Sequence, residues 1–256
     1  MVKSMNHKEQ FEREGYLSGI DILSASEVGG IRSEFDGVES QLGREEAQIG
    51  ILGKERELPW LWSLATHPAI LDAVQCVYGD DLLLIGTHVF CKYPVEDTGT
   101  EAFVAWHQDV TYWGLAPPKA ITAWLAIDDT DEENGAMMVI PGSHTVGILD
   151  HGKSHEEGNL LSVNQAVSNE AFDPDSAVTL TLRAGQMSLH DGLTIHGSLP
   201  NHSPRRRCGA AIRYTTPGVR NVGNAKQTFD WQAVLVRGED THGNLKLLPE
   251  PDFAVK

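Results

Sequence analysis

Over the first eighty positions, apolar residues recur at three- and four-residue steps, which is the period of helices packed on one face. The spacing predicts a helix over 6–16, a charged segment carrying Phe11 and Tyr16. It predicts another over 26–39, where Ser26 stands as a capping residue ahead of Val28, Ile31 and Phe35. A third, over 68–78, opens on Pro68, carries Ile70, Leu71, Val74 and Val77, and stops at Gly79. From Leu82 onward the apolar runs become short and β-rich. They predict strands over 82–93, 120–127, 136–140, 178–182, 186–190 and 209–215. Turn signals separate them, among them Pro117-Pro118, Asn134-Gly135, Pro141-Gly142 and Ala184-Gly185.

A helical preface followed by many short strands is the pattern of a β-barrel or a two-sheet jelly roll. The expected organisation is one domain over 1–256, with a mostly helical region at 1–80, a jelly-roll core at 81–216 and a C-terminal extension at 217–256. The stretch 147–176 is polar and weakly patterned, and a loop of that length in a compact domain suggests a lid or binding loop.

Composition narrows the function without naming it. The 41% apolar and 22% charged shares are those of a globular protein, and the 256 residues suffice for one full-sized core. The formal net charge of −16 leaves no basic stripe for nucleic acid and disfavours an anionic membrane surface. No apolar run approaches the ~18 residues of a membrane span, and the first residues hold no signal-peptide core. Cys76, Cys91 and Cys208 are widely spaced and odd in number, which points to reduced thiols and a cytoplasmic location. The oligomeric state is left open.

The chemistry concentrates in Trp106-His107-Gln108-Asp109 and, far downstream, Ile195-His196-Gly197. On an extended chain, residues i and i+2 share a face, so His107 and Asp109 can reach one metal ion from a single strand end. His196 could supply a third ligand once the sheets close. Two imidazoles and a carboxylate on one face of an octahedron are the ligands of non-haem Fe(II) sites, and they leave room for a chelating keto acid and O2. A dicarboxylate keto acid also needs a cation for its far end. Arg207, in Pro204-Arg205-Arg206-Arg207, offers the planar fork that pairs with a carboxylate, and strand alternation leaves Arg205 as the second candidate.

The stretches WHQDVTYWGL, TAWLAIDDTDEENGAMMVIPGSH and HGSLPNHSPRRRCGAAIRY resemble, in order, the phytanoyl-CoA dioxygenase family of Fe(II)/2-oxoglutarate oxygenases. The resemblance runs from about residue 83 to 216, with a fainter echo in FEREGYL. It implies a double-stranded β-helix and an enzyme that hydroxylates a small-molecule C–H bond while 2-oxoglutarate becomes succinate and CO2. It implies iron held by His107, Asp109 and His196, with 2-oxoglutarate anchored by Arg207. Ser198 would bond the far carboxylate, and Trp124 and His88 would line the pocket, although histidine departs from the residue type expected at that last position. Some relatives halogenate, with chloride in the place of the carboxylate ligand. Asp109 fills that place here, which favours hydroxylation.

Other groups have plainer readings. The acidic run 128–133 leads into an Asn-Gly turn and reads as a solvated hairpin loop. His144 reads as a hydrogen-bonding turn residue, and adjacent His190 and Asp191 point oppositely on a strand, so both cannot serve one metal. Tyr112 and Trp113 could wall a substrate pocket. Lys92, Arg213 and Arg220 could meet an anionic group, but arginines near strand ends often pair with surface acids, and no anion specificity follows. The rival functions are a non-oxidative, cupin-type metal enzyme and a non-catalytic jelly-roll binding protein.

Overall fold

A computed structural model describes residues 2–153, 157–161, 165–223 and 232–254. The chain begins with α1 (Val2–Glu14), β1 (Tyr16–Asp21) and α2 (Ala25–Leu42). The cap of α2 is Ser24, not Ser26. Its hydroxyl accepts from the Glu27 backbone N–H while the Glu27 carboxylate accepts from the Ser24 N–H at 2.7 Å, the reciprocal arrangement that satisfies two orphan donors of a first turn. The longer helices that follow are α3 (Pro59–Ala65) and α4 (Pro68–Tyr78). The α3 sequence PWLWSLA is apolar nearly all round and buries five of its residues, so it shows no helical stripe to read.

The strands are then β2 (Leu82–Lys92), β3 (Val104–His107), β4 (Ile121–Ala126), β5 (Met137–Val139), β6 (Val178–Thr179) and β7 (Gln186–Asp191). They end with β8 (His196–Ser198), β9 (Arg207–Thr215), β10 (Gln232–Arg237) and β11 (Lys246–Leu247). Among the described residues, seven form a major sheet in the order β1-β7-β4-β9-β2-β10-β11 and four form a minor sheet in the order β3-β8-β5-β6. This is the expected double-stranded β-helix with helices on one side. The major sheet also recruits β1 and β10 from outside 81–216, with Val234 of β10 facing Leu84 of β2.

The major sheet is covered on both faces, and its alternation is a division of labour. Ile121, Ala123 and Leu125 of β4, Met187 and Leu189 of β7, and Cys208, Ala210, Ile212 and Tyr214 of β9 pack outward against the helices in the main core. The Tyr214 hydroxyl donates to the Ala65 carbonyl of α3 at 2.8 Å, tying helix to sheet. The alternate residues point between the sheets. There Thr122, Trp124, His190, Arg207 and Arg213 line a cavity of about 380 Å³.

Candidate metal centre and active site

His107 closes β3 and lies directly across from His196, the first residue of β8. Gln108 continues extended, at φ −117 and ψ 127, before a 3-10 turn begins at Asp109, so the i, i+2 geometry carries Asp109 to the same side as His107. The three side chains converge. One ligand atom from each of His107, Asp109 and His196 lies within 4.8 Å of the others, and the residues are 6%, 7% and 6% exposed. His107 Nε2 is 3.7 Å from Asp109 Oδ1, and the two imidazole centroids are 4.1 Å apart.

The neighbours fix the donor atoms. His107 Nδ1 lies 2.9 Å from the Ala105 carbonyl and His196 Nδ1 lies 3.0 Å from the Thr194 carbonyl. A carbonyl only accepts, so each Nδ1 carries the proton and each Nε2 keeps its lone pair for the cavity. Thr122 donates its hydroxyl to Asp109 Oδ2 at 2.7 Å and leaves Oδ1 toward the histidines. Burial alone would raise the Asp109 carboxyl. The charge of Arg213 and the nearby imidazoles of His107, His190 and His196 outweigh it and hold the group well below the carboxylate range. Burial, with the fields of His107 and His190, pushes His196 well below its ordinary value. An ionised carboxylate and a neutral imidazole are the forms a metal requires. This donor set therefore fits a divalent transition metal with open positions.

Thr122→Val keeps the shape and removes the bond to Asp109. It should lower metal affinity ~10–100-fold, as loss of an outer-shell partner does, with the fold intact by circular dichroism. A metal titration checks this.

The three arginines separate cleanly. Arg205 precedes β9, so strand alternation does not govern it, and it faces solvent with Asp131 at 2.7 Å and Glu133 at 3.4 Å. Arg206 binds Asp128, Asp36 and Glu39 and stacks over Phe35. Arg207 alone turns inward. It is 3% exposed, donates to the Gly135 carbonyl at 2.7 Å, reaches Ser198 Oγ at 3.5 Å and lies 5.4 Å from the Trp124 ring centroid. Its Nε has no hydrogen-bond partner, and among the described residues no carboxylate lies within ion-pair reach. Burial lowers it to about 10. Gly209 makes room beside it, because a Cβ there would meet Trp124 Cζ2 at 2.2 Å.

Ser198 and Trp124 therefore gather with Arg207, while His88 lines the same cavity further along β2. His88 Nε2 lies 2.7 Å from the Ile49 carbonyl, and burial, then the Arg213 charge, pushes the ring down to about 3. The unfolded chain takes up this proton near pH 6.5 and the fold refuses it until about pH 3. Stability of the metal-free protein should therefore fall as pH drops through that window, by up to ~1.4 kcal/mol per pH unit for this residue. Urea unfolding at pH 7, 6 and 5 checks the slope, which His88→Gln should flatten.

Several neighbours take places that the sequence did not assign them. Lys92, opposite Arg207 in register, is fully buried and donates to Ser198 Oγ at 2.6 Å. Burial, then the Arg207 charge, holds it well below the usual amine range. His190 points inward with Nε2 3.5 Å from Asp109 Oδ2 and its ring 4.4 Å from that of His196, while Asp191 turns to the Leu193 backbone. Gln108 is buried between the two metal-facing residues and bonds Gly147, Leu149 and Leu193, pinning the start of the 147–176 stretch. Residues 154–156 and 162–164 of that stretch lie outside the described residues, and Leu160 and Leu161 line the cavity. Trp113 does too, whereas Arg220 is exposed, His144 bonds the Glu12 carbonyl of α1, and the Tyr112 side chain lies outside the described residues.

Comparison with known proteins agrees with this architecture. The phytanoyl-CoA dioxygenase (PhyH) family matches residues 11–209. The chain is 28% identical over 237 residues to a probable alpha-ketoglutarate-dependent hypophosphite dioxygenase of Stutzerimonas stutzeri, covering 90% of this chain and 81% of that one. It is 25% identical over 223 residues to the peroxisomal phytanoyl-CoA dioxygenase of Bos taurus, covering 79% and 65%. Among solved structures, the apo form of the non-heme monooxygenase ThoJ superposes with a TM-score of 0.76 at 31% identity, covering 96% of this chain and 88% of that one. No helix among the described residues is long and apolar enough to cross a membrane. With the family spanning both the metal-facing residues and the buried arginine, the chain is a member of the phytanoyl-CoA dioxygenase family of Fe(II)- and 2-oxoglutarate-dependent oxygenases.

Proposed function

We propose that this protein hydroxylates a C–H bond of a compact small molecule, with His107, Asp109 and His196 as the iron ligands and Arg207 as the anchor of 2-oxoglutarate. The observation that carries the reading is the buried, unneutralised guanidinium of Arg207 in the same cavity as the three ligands. A buried cation without a counter-ion costs several kcal/mol, and a dicarboxylate co-substrate removes that cost. A non-oxidative metal enzyme would have no use for it.

Ser198 accepts from Lys92 and faces Arg207, so its own proton is left to donate to the co-substrate's far carboxylate. Trp124 forms the wall along which the carbon chain lies, and uncharged His88 closes the cavity further on without competing for an anion. Bound Fe(II) with 2-oxoglutarate and O2 would supply the oxidising chemistry, the keto acid leaving as succinate and CO2. The apolar residues Ile85, Trp113, Leu160 and Leu161 exclude water from the reacting C–H bond. A volume near the small end for ligand pockets must hold both co-substrate and substrate, which favours a compact substrate.

The test is anaerobic titration of metal-free protein with Fe(II) and 2-oxoglutarate. One equivalent of 2-oxoglutarate should bind only when Fe(II) is present, and exposure to O2 should release succinate. Metal-independent uptake of 2-oxoglutarate, or none at all, refutes the reading.

A further inference from the structure

We propose that the substrate is an oxyanion, carrying a carboxylate or a similar acid group, and that Arg213 is the residue that grips it. This rests on the oxygenase reading of the same cavity and names its substrate class. Arg207, Gly209, Ala211 and Arg213 share the inward face of β9, so one strand delivers two guanidinium groups, about 20 Å apart at their backbones. Arg213 stands opposite Thr122, the partner of Asp109, and so lies level with the metal ligands. Its Nη2 is 3.9 Å from Asp109 Oδ1, its guanidinium carbon is 5.5 Å from the Trp113 ring centroid, and its buried Nε has no hydrogen-bond partner.

The space beside it is open. Gly86 is the register partner of Arg213 on β2, and a Cβ built there would meet nothing within 4 Å. The pairing shifts immediately beyond that point, an irregularity of the kind that re-aims strands at active sites. Gly53 and exposed Leu52 line the same cavity, and the Gly53 N–H donates to the carbonyl of Thr87, next to Gly86.

Charge decides what fits. Asp109 looks like the counter-ion of Arg213, but at 3.9 Å the contact is loose, and a bound ferrous ion claims that carboxylate. With the metal, Asp109, the 2-oxoglutarate dianion and Arg207 together, positive and negative charges cancel. Arg213 is then the cation left over. An acidic group on the substrate would neutralise Arg213 through the paired hydrogen bonds that a guanidinium fork forms with an oxyanion. It would also hold the rest of the molecule against the apolar wall of Ile85, Trp113 and Leu160, beside the metal ligands.

The experiment is anaerobic calorimetry on wild-type protein loaded with Fe(II) and 2-oxoglutarate. The probes are propionate, benzoate and N-acetylglycinate, each beside its carboxamide. At least one acid should bind more tightly than its amide by about tenfold or more, the size of a charge-assisted bond. Binding of that acid should also perturb the visible absorption of the ferrous complex. Arg213→Gln should erase the preference, and Arg213→Lys, which keeps the charge without the fork, should retain a reduced one. No acid preferred over its amide by wild type, or a preference that survives in Arg213→Gln, overturns the proposal. The loading step separates the two readings. Wild type that takes up no 2-oxoglutarate refutes the oxygenase assignment, whereas uptake followed by no preference for acids refutes only the role of Arg213.

Discussion

Replacing either His107 or His196 with alanine is expected to abolish Fe(II) binding and, with it, succinate release. Each histidine offers one Nε2 lone pair, and each is already oriented by a backbone carbonyl, Ala105 for the first and Thr194 for the second. The protein has therefore invested local structure in presenting two atoms, and the loss of one leaves a bidentate site. Changes one shell further out cost ~10–100-fold in metal affinity, so the loss of a direct ligand should exceed that range. His190→Ala provides the internal control. That ring is equally buried and touches both Asp109 and His196, yet it lies outside the three-residue group whose ligand atoms fall within 4.8 Å. Metal titration followed by circular dichroism would compare the three variants. His107→Ala and His196→Ala should keep their secondary structure and lose the metal, while His190→Ala should keep its secondary structure and lose at most the ~10–100-fold of an outer-shell change. Retention of stoichiometric Fe(II) by His196→Ala would remove the reason for drawing the two sheets together at this point.

The placement of His107 and Asp109 on one side was readable in the sequence because its signal is local. His107 and Asp109 are two apart on extended backbone, and the turn that starts at Asp109 begins too late to spoil the alternation. His196 was less local: it stood out through the downstream stretch that carries the family resemblance. The strands β2, β4, β7 and β9 were also readable, since each carries a run of apolar residues facing the helices. The places of Lys92 behind Ser198 and of His190 beside Asp109 were not. On a strand covered on one face only, polar residues at alternate positions are the solvent face, and nothing in the spacing says that here the second face is also covered. His190 and Lys92 became site residues only when the minor sheet closed over them. The same ambiguity hid the choice between Arg205 and Arg207. Alternation puts both on one face, but β9 starts at Arg207, so Arg205 belongs to the preceding turn and answers to Asp131 instead. Strand β10 was missed although Ala233, Val234 and Leu235 make a short apolar run, because 217–256 was taken as an extension to the core.

Arg207→Met should separate stability from function. In the free protein, Arg207 is a cation without a counter-ion, and burial has lowered it to about 10, well below an ordinary guanidinium. A base lowered on folding binds fewer protons in the fold than in the unfolded chain. The penalty is therefore present at neutral pH and is relieved only as pH rises above about 10. Its size is on the order of 3 kcal/mol. Methionine fills similar volume without the charge, so metal-free Arg207→Met should unfold at the same temperature as wild type or higher, as happens when buried charges are replaced by apolar groups. Binding should move the other way. The variant leaves a carboxylate of 2-oxoglutarate facing Ser198 and the Trp124 ring without its fork, and truncating one partner of a buried charged pair costs ~2–5 kcal/mol. That corresponds to a loss of roughly 30- to several-thousand-fold in 2-oxoglutarate affinity. Calorimetry of the Fe(II)-loaded variant measures the loss, and a thermal melt of the metal-free variant measures the gain. A variant that melts well below wild type while binding 2-oxoglutarate normally would show that Arg207 serves the fold, through its bond to the Gly135 carbonyl, and not the co-substrate.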